Sequence, residues 1–374
     1  MTPRTTPPFR ADHVGSLLRP PSLKEARDAF SAGRIDAGEL RAAEDAAIAE
    51  AVELQLAVGL QGITDGELRR GSWHMDFIYE LEGVSRLDAE SSFTFHSDRG
   101  DVSFTPSAMR VDGRLGLSHT IFGDAFTTLK AIVGDRGLPK LTIPSPSMVH
   151  YRGGRPAIDP EVYPELDAFW SDLEAAYRDE VRQLGELGCA YLQFDDISFA
   201  YLNDPQQREH VRAVGGDPEH QHEEYIAHLN AALAARPDGM AVTTHMCRGN
   251  FRSSWVAEGG YDYVAEALFN DLDVDGFFME WDDERSGGFE PLRFVPKGKV
   301  VVLGLITTKR PALEDKDDVK RRIEQAARHI DIDQLCLSPQ CGFSSTQEGN
   351  ALSAEQQAAK LRLVVEVADE VWGR

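Results

Sequence analysis

From about residue 60 onward, short apolar runs alternate with longer stretches whose apolar residues recur every three or four positions. That alternation is the signature of βα units building a parallel sheet. The apolar runs predict strands at GITDGE (62–67), KLTIPSP (140–146), AYLQFDD (190–196), MAVTTHMC (240–247), DGFFMEWD (275–282), KVVVLGLI (299–306) and DQLCLSPQCG (333–342). An earlier segment, ADHVGS (11–16), supplies an eighth. Helical periodicity marks 37–59 (behind Asp36), 160–187, 219–235, 316–329 and 353–372. Eight strands with intervening helices predict an α/β fold, a (β/α)8 TIM barrel.

The segment 85–137 breaks this rhythm. Its stretch SSFTFHSDRGDVSFTPSAMRVDGRLG alternates with period two, and turn residues stand at Asp98-Arg99-Gly100 and Asp112-Gly113. A β-hairpin inserted after the second strand is expected, forming a flap over one end of the barrel. Helices at 22–31 and 40–59 are expected to pack outside. No low-complexity linker or internal repeat divides the chain, so residues 1–374 read as a single domain carrying the insertion 85–137.

Charge and composition narrow the function. The net charge of −23 argues against a nucleic-acid surface, which needs clustered Lys and Arg. No apolar run approaches the roughly 20 residues of a membrane span. The opening MTPRTTPPFRADH lacks the apolar core of a secretory signal. Four cysteines in a chain this long do not make a disulfide framework. A reduced, cytoplasmic protein with small-molecule partners is expected; a homo-oligomer is compatible with these features.

In a barrel of this type the functional face lies at the C-terminal ends of the strands. His245 and Cys247 end the fifth strand, Glu280 the sixth, and Cys341 follows the eighth. Asp195 and Asp196 end the fourth, Asp65 and Glu67 the second, and His13 with Ser16 the first. Two thiols, one imidazole and one carboxylate at one rim suit tetrahedral Zn²⁺ better than the oxygen-seeking Mg²⁺ or Ca²⁺. Each residue has a plainer reading. Cys247 fits a small buried core residue, His245 a histidine with a local partner, and Glu280 one half of an internal salt bridge. Cys336 and Cys189 read as packing. Arg248, Asn250, Arg252 and Ser253 either bind an anion or cap the loop after strand five, and Trp73, His74 and His150 either line the mouth or pack.

The segments THMCRGNFRSSW, FFMEWD, VVLGLITTKRP and LSPQCGFSS, together with HVGS at 13–16, resemble the cobalamin-independent methionine synthase family. The likeness is to single-barrel members corresponding to that enzyme's C-terminal catalytic half. It implies a zinc ion held by His245, Cys247, Glu280 and Cys341. It also implies contacts to the homocysteine carboxylate from Val14, Gly15 and Ser16, and to its amine from Glu67 and Asp195. Ordinary rim salt bridges from Glu67 and Asp195, with Arg69 and Arg70 as ready partners, are the competing reading. The family histidine expected after the seventh strand is absent from LITTKRP, where Lys309 stands nearby. The function expected from the resemblance is zinc-dependent S-methyl transfer to homocysteine or a similar aminothiol, with a small-molecule thiol and a methyl donor as partners. Competing readings are a zinc-dependent thiol alkyltransferase of the epoxyalkane:coenzyme M type and a non-catalytic barrel stabilised by zinc.

Overall fold

The structure, a computed structural model, describes residues 4–87, 93–96, 100, 102–104 and 108–373. Its strands are β1 (Gly62–Ile63), β2 (Glu82–Leu87), β3 (Phe93–Phe95), β4 (Val102–Phe104), β5 (Ala108–Gly116), β6 (Leu138–Pro139), β7 (Leu141–Pro144), β8 (Tyr191–Asp196), β9 (Ala241–Met246), β10 (Gly276–Glu280), β11 (Val300–Ile306) and β12 (Leu335–Pro339). The last six form one parallel sheet in the order β12-β11-β10-β9-β8-β7. β1 pairs in parallel with β6, which runs into β7 through Lys140, whose N–H donates to the Ile63 carbonyl at 2.8 Å.

These strands are buried along both faces, which is why they read as continuous apolar runs rather than alternating ones. Phe277, Val301 and Leu337 belong to the large core beneath the helices, while Phe278, Val302 and Cys336 form a second cluster with Val14 on the other face. Burial pushes the thiols of Cys336 and Cys189 up to about 12, so both stay protonated packing residues.

The helices start where the sequence supplies caps. Ala37–Val58 begins at a capping box in which Asp36 and Glu39 bond each other's backbone N–H groups, and Ser353 and Gln356 do the same for Ala354–Trp372. Leu166–Glu186 buries Phe169, Trp170, Leu173 and Tyr177. Among the described residues no helix is long and apolar enough to cross a membrane.

Two expectations need correction. The strand expected at 11–16 does not form. This segment makes a single parallel bridge, Ala11 to Leu337, and then touches the other side through Thr64 Oγ1 on the Gly15 carbonyl (2.7 Å) and Leu17 N on the Gly66 carbonyl (3.0 Å). Asp12 takes the Phe9 and His13 N–H groups on its own carboxylate, and Gly15 has φ +151°, so the ladder is interrupted. Its partner is short for a related reason: Gly66 and Glu67 have φ +66° and +57°, ending β1 in a turn. Among the described residues the parallel pairing therefore does not run as a continuous ring.

The expected turn at Asp112-Gly113 lies instead inside β5, at a bulge where the register with β2 jumps from Glu82↔Gly116 to Val84↔Val111. β3 and β4 pair antiparallel as a hairpin, and the turn expected at Asp98-Arg99 lies outside the described residues.

Two buried charges make testable contributions to stability. Lys140 and Asp12 are a fully buried pair, 3.2 Å apart, with Tyr191 O–H also donating to Asp12 at 2.8 Å. Lys140→Met leaves the carboxylate uncompensated and is expected to cost about 3–5 kcal/mol in a denaturant titration. Glu180, inside Leu166–Glu186, is pushed up to about 7 by burial, against hydrogen bonds from the Ile121 and Phe122 backbone. A carboxyl raised on folding stabilises the folded state below its unfolded value of about 4.5, and that contribution is lost as pH rises to about 7. Glu180→Gln should therefore gain on the order of 2 kcal/mol relative to the native chain between about pH 5 and pH 8. Equal pH slopes for the two proteins in urea titrations would contradict this.

Candidate metal centre

The ligand-type atoms of His245, Cys247, Glu280 and Cys341 lie within 4.8 Å of one another. Strand register explains the convergence. β9 and β10 pair Met246 with Met279, so Cys247 and Glu280 leave the sheet side by side, with His245 one turn of the pleat earlier. Cys341 arrives from the loop after β12. Gly304 of β11 lets it come close: a Cβ there would stand 2.7 Å from Gln340 Cα and 2.7 Å from the Met279 carbonyl oxygen. Gly342 has the same role toward Ser16, whose Oγ would be 1.9 Å from an added Cβ.

The cluster lacks partners that a closed protein network would supply. Neither ring nitrogen of buried His245 has a nitrogen or oxygen hydrogen-bond partner, its interaction being with the Cys341 sulfur, and Glu280 Oε2 has no partner. Glu280 Oε1 accepts from the Arg248 backbone N–H at 2.9 Å. Both cysteines are free, with sulfurs 3.4 Å apart. Hydrogen bonding between them drives Cys341 well below the usual thiol range and raises Cys247. Burial raises Glu280 despite Lys309 nearby. Burial alone would lower His245, but the Cys341 sulfur, Asp195 and Glu280 outweigh it and raise it. Two sulfurs, an imidazole and a carboxylate with unsatisfied buried atoms make a donor set that fits Zn²⁺. The internal salt bridge considered for Glu280 is incomplete, since Lys309 Nζ stands 3.7 Å away, beyond hydrogen-bond range.

A cavity of about 400 Å³ opens onto this cluster. His245, Cys247 and Cys341 line it, as do Val14, Ser16, Glu67 and Asp195. Gly15 sits immediately behind, its added Cβ 3.2 Å from Glu67 Oε1. Glu67 is buried; its Oε1 accepts from Thr142 Oγ1 at 3.0 Å, and Oε2 has no partner. Burial raises its carboxyl against the opposing Arg70 and Arg19. Arg69 pairs with Glu44 and Asp45 instead, and Arg70 reaches only 4.0 Å from Glu67 while bonding Thr142, so neither forms the close rim salt bridge weighed above. Asp195 pairs directly with His245 across β8 and β9 and accepts from Gln193 Nε2 at 2.7 Å. Burial pushes it up to about 7, opposed by His245 and assisted by Glu67.

The neighbouring acids are tied up by local hydrogen bonds, although Asp196 also lines the cavity. Asp196 is saturated by the hydroxyls of Ser145, Ser147 and Ser198, and Asp65 caps the Glu67 N–H. His13 is buried against the Gly62 carbonyl and pushed down to about 4 by burial and by Lys140.

Trp73 and His74 line the cavity, whereas His150 bonds the Tyr225 hydroxyl among Phe169 and Trp170, away from it. In the loop after β9, Asn250 lines the cavity and ties to the Gly342 carbonyl at 2.7 Å. Arg248 is buried over the Tyr261 ring, and Ser253 fastens the loop to Asn350 and Ala351. Phe95 and Arg152, which no motif in the sequence marks, also face the cavity. The hairpin brings Phe95 there through an antiparallel bridge between His96 and Trp255. The alternation of FTFH marked the strand but not the loop it would meet.

Comparison with known proteins gives a consistent picture. The profile of the family described as the catalytic domain of cobalamin-independent synthase matches residues 159–370. An uncharacterized Bacillus subtilis protein, YxjH, is 47% identical over 367 residues, covering 98% of this chain and 95% of that one. The crystal structure of a putative vitamin-B12 independent methionine synthase from Listeria monocytogenes superposes with a TM-score of 0.78 at 36% identity, covering 99% of this chain and 100% of that one. A 5-methyltetrahydropteroyltriglutamate–homocysteine methyltransferase from Mycolicibacterium paratuberculosis is 22% identical over 98% of this chain, which spans only 43% of that protein.

Proposed function

Because the chain belongs to the family of cobalamin-independent synthase catalytic domains, we propose that it is a zinc-dependent S-methyltransferase acting on homocysteine or a similar aminothiol. The observation that carries this reading is the meeting of His245, Cys247, Glu280 and Cys341 within 4.8 Å at a cavity that Glu67 and Asp195 also line. His245, Cys247 and Cys341 would hold the ion, with Glu280 as the exchangeable fourth donor. When bound, Zn²⁺ supplies Lewis acidity that keeps a substrate thiol, ordinarily protonated near neutral pH, in its nucleophilic thiolate form.

The chain's own residues do the rest. Glu67 and Asp195 accept charge-assisted hydrogen bonds from the substrate ammonium, whose charge opposes the burial that raises both carboxyls. Val14, Gly15 and Ser16 receive the substrate carboxylate beside them, fixing the thiol's approach. Two buried carboxylates suit an aminothiol better than a sulfonate such as coenzyme M, which would seek cations. The fold supports the same reading. The parallel strands β1 and β6–β12, with segment 10–17 touching β12 on one side and the turn after β1 on the other, suit a TIM-type barrel whose eighth side is irregular. Residues 1–374 then make one domain, with 85–137 inserted as a flap.

The test is product formation. Zinc-loaded protein is given homocysteine with methyltetrahydrofolates, methylcobalamin or simple sulfonium compounds in turn, and methionine is measured. Methionine from at least one donor, lost on chelation and restored by zinc, is expected. Failure of every donor with homocysteine and with related aminothiols would contradict the proposal.

A further inference from the structure

The cavity touches three of the four donors. His245, Cys247 and Cys341 line it; Glu280, with no exposed surface, lies behind them. Lys309 is behind them too, its side chain 5% exposed and its Nζ 3.7 Å from Glu280 Oε2. Neither Nζ nor Oε2 has a hydrogen-bond partner. A buried ammonium with three donors and no acceptor is costly, and the gap is one that a small movement of either flexible side chain closes.

The surroundings hold Lys309 in this place and leave it Glu280 as a partner. Its backbone N–H donates to Thr307 Oγ1 at 3.2 Å, and Thr307 in turn bonds Asp282 Oδ2 (2.8 Å) and Glu314 Oε1 (2.9 Å). Asp282, the other carboxylate nearby, is engaged by Thr307 and by Arg285 at 3.5 Å. A thiol entering from the cavity therefore meets the sulfur and imidazole side, while the displaced carboxylate has a cation waiting on the far side.

We propose that Lys309 is a positioning residue that receives the Glu280 carboxylate when a substrate thiolate takes its place; this rests on the zinc-thiol reading above. In the exchange the bond from the ion to the Glu280 oxygen breaks, with its electron pair staying on the carboxylate. The thiol gives its proton to solvent, and its sulfur lone pair forms the replacing bond. One anion leaves the ion as another arrives, and the leaving carboxylate closes onto the Lys309 ammonium. Without that cation the carboxylate would be a buried, unpaired charge, and exchange would be opposed.

Zinc-loaded native protein, Lys309→Met and Lys309→Arg are compared by homocysteine titration and by zinc-edge X-ray absorption. The native protein should gain a third sulfur neighbour. Lys309→Met should retain its zinc, keep two sulfurs at the same thiol concentration, and bind homocysteine at least ~10-fold more weakly, with Lys309→Arg restoring most of the affinity. A merely structural lysine would alter melting without altering the sulfur count. Lys309→Met gaining sulfur with native affinity overturns the proposal. A native protein that gains no sulfur overturns the reading beneath it instead. Should Lys309→Met fail to fold, Lys309→Gln, neutral but still hydrogen-bonding, is read by the same criteria.

Discussion

Cys341→Ser is expected to strip the protein of its zinc. Metal analysis of the native chain should give about one zinc per chain, and the variant should retain only a small fraction after dialysis. The expected loss of affinity exceeds ~100-fold, because outer-shell partners of metal ligands already cost about 10–100-fold and Cys341 is proposed as a ligand. The geometry gives the variant little means of compensation. Cys341 is the group whose sulfur lies 3.4 Å from Cys247, and the hydrogen bond from Cys247 holds its thiol well below the usual range. A serine hydroxyl does not ionise under these conditions and is a harder donor. Full zinc occupancy in Cys341→Ser would remove this residue from the site.

The second large effect is expected at Glu67. Glu67→Gln keeps the shape and the oxygen that accepts from Thr142, but removes the charge proposed to face the substrate ammonium. A lost charge-assisted hydrogen bond amounts to about 1.5–3 kcal/mol, so kcat/KM for homocysteine should fall roughly 10–100-fold. A thiol of the same length without the amine should be used poorly by both proteins and nearly equally. Folding stability should not suffer, because burial already disfavours the ionised carboxylate in the free protein. An unchanged kcat/KM for homocysteine, or an equal loss for the amine-free thiol, would return Glu67 to a structural role.

Much of this architecture is legible in the sequence because the strands that carry the site are buried on both faces. Runs such as VVVLGLI and GFFME have no competing helical reading of the same length, and the polar residue ending each run is conspicuous. Thus the ends of β9 and β10 and the loop after β12 could be placed at one rim from the letters alone.

The first segment is different. ADHVGS has a strand-like pattern, but Asp12 and Gly15 divert its backbone hydrogen bonds, and side-chain capping of this kind leaves no periodic trace. Asp112-Gly113 likewise has the letters of a turn. In the fold its glycine packs against Gly83 of β2, where an added Cβ would come within 3.0 Å of the Gly83 Cα, and the chain bulges instead of reversing. The pairing of Glu280 with Lys309 was also hidden. It depends on side chains from two adjacent strand ends meeting behind the cavity, which spacing along the chain does not encode. His150 and His74 read alike as mouth residues, and only tertiary packing sends one to Tyr225 and the other to the cavity.

Whether the four side chains hold zinc that takes up a thiol is read by zinc-edge X-ray absorption on the loaded native protein, with and without homocysteine. Two sulfur neighbours are expected in the free protein, from Cys247 and Cys341, and three once the aminothiol is added, with loss of one light-atom neighbour. A spectrum that no thiol alters, or one that shows no cysteine sulfur at the outset, would contradict this.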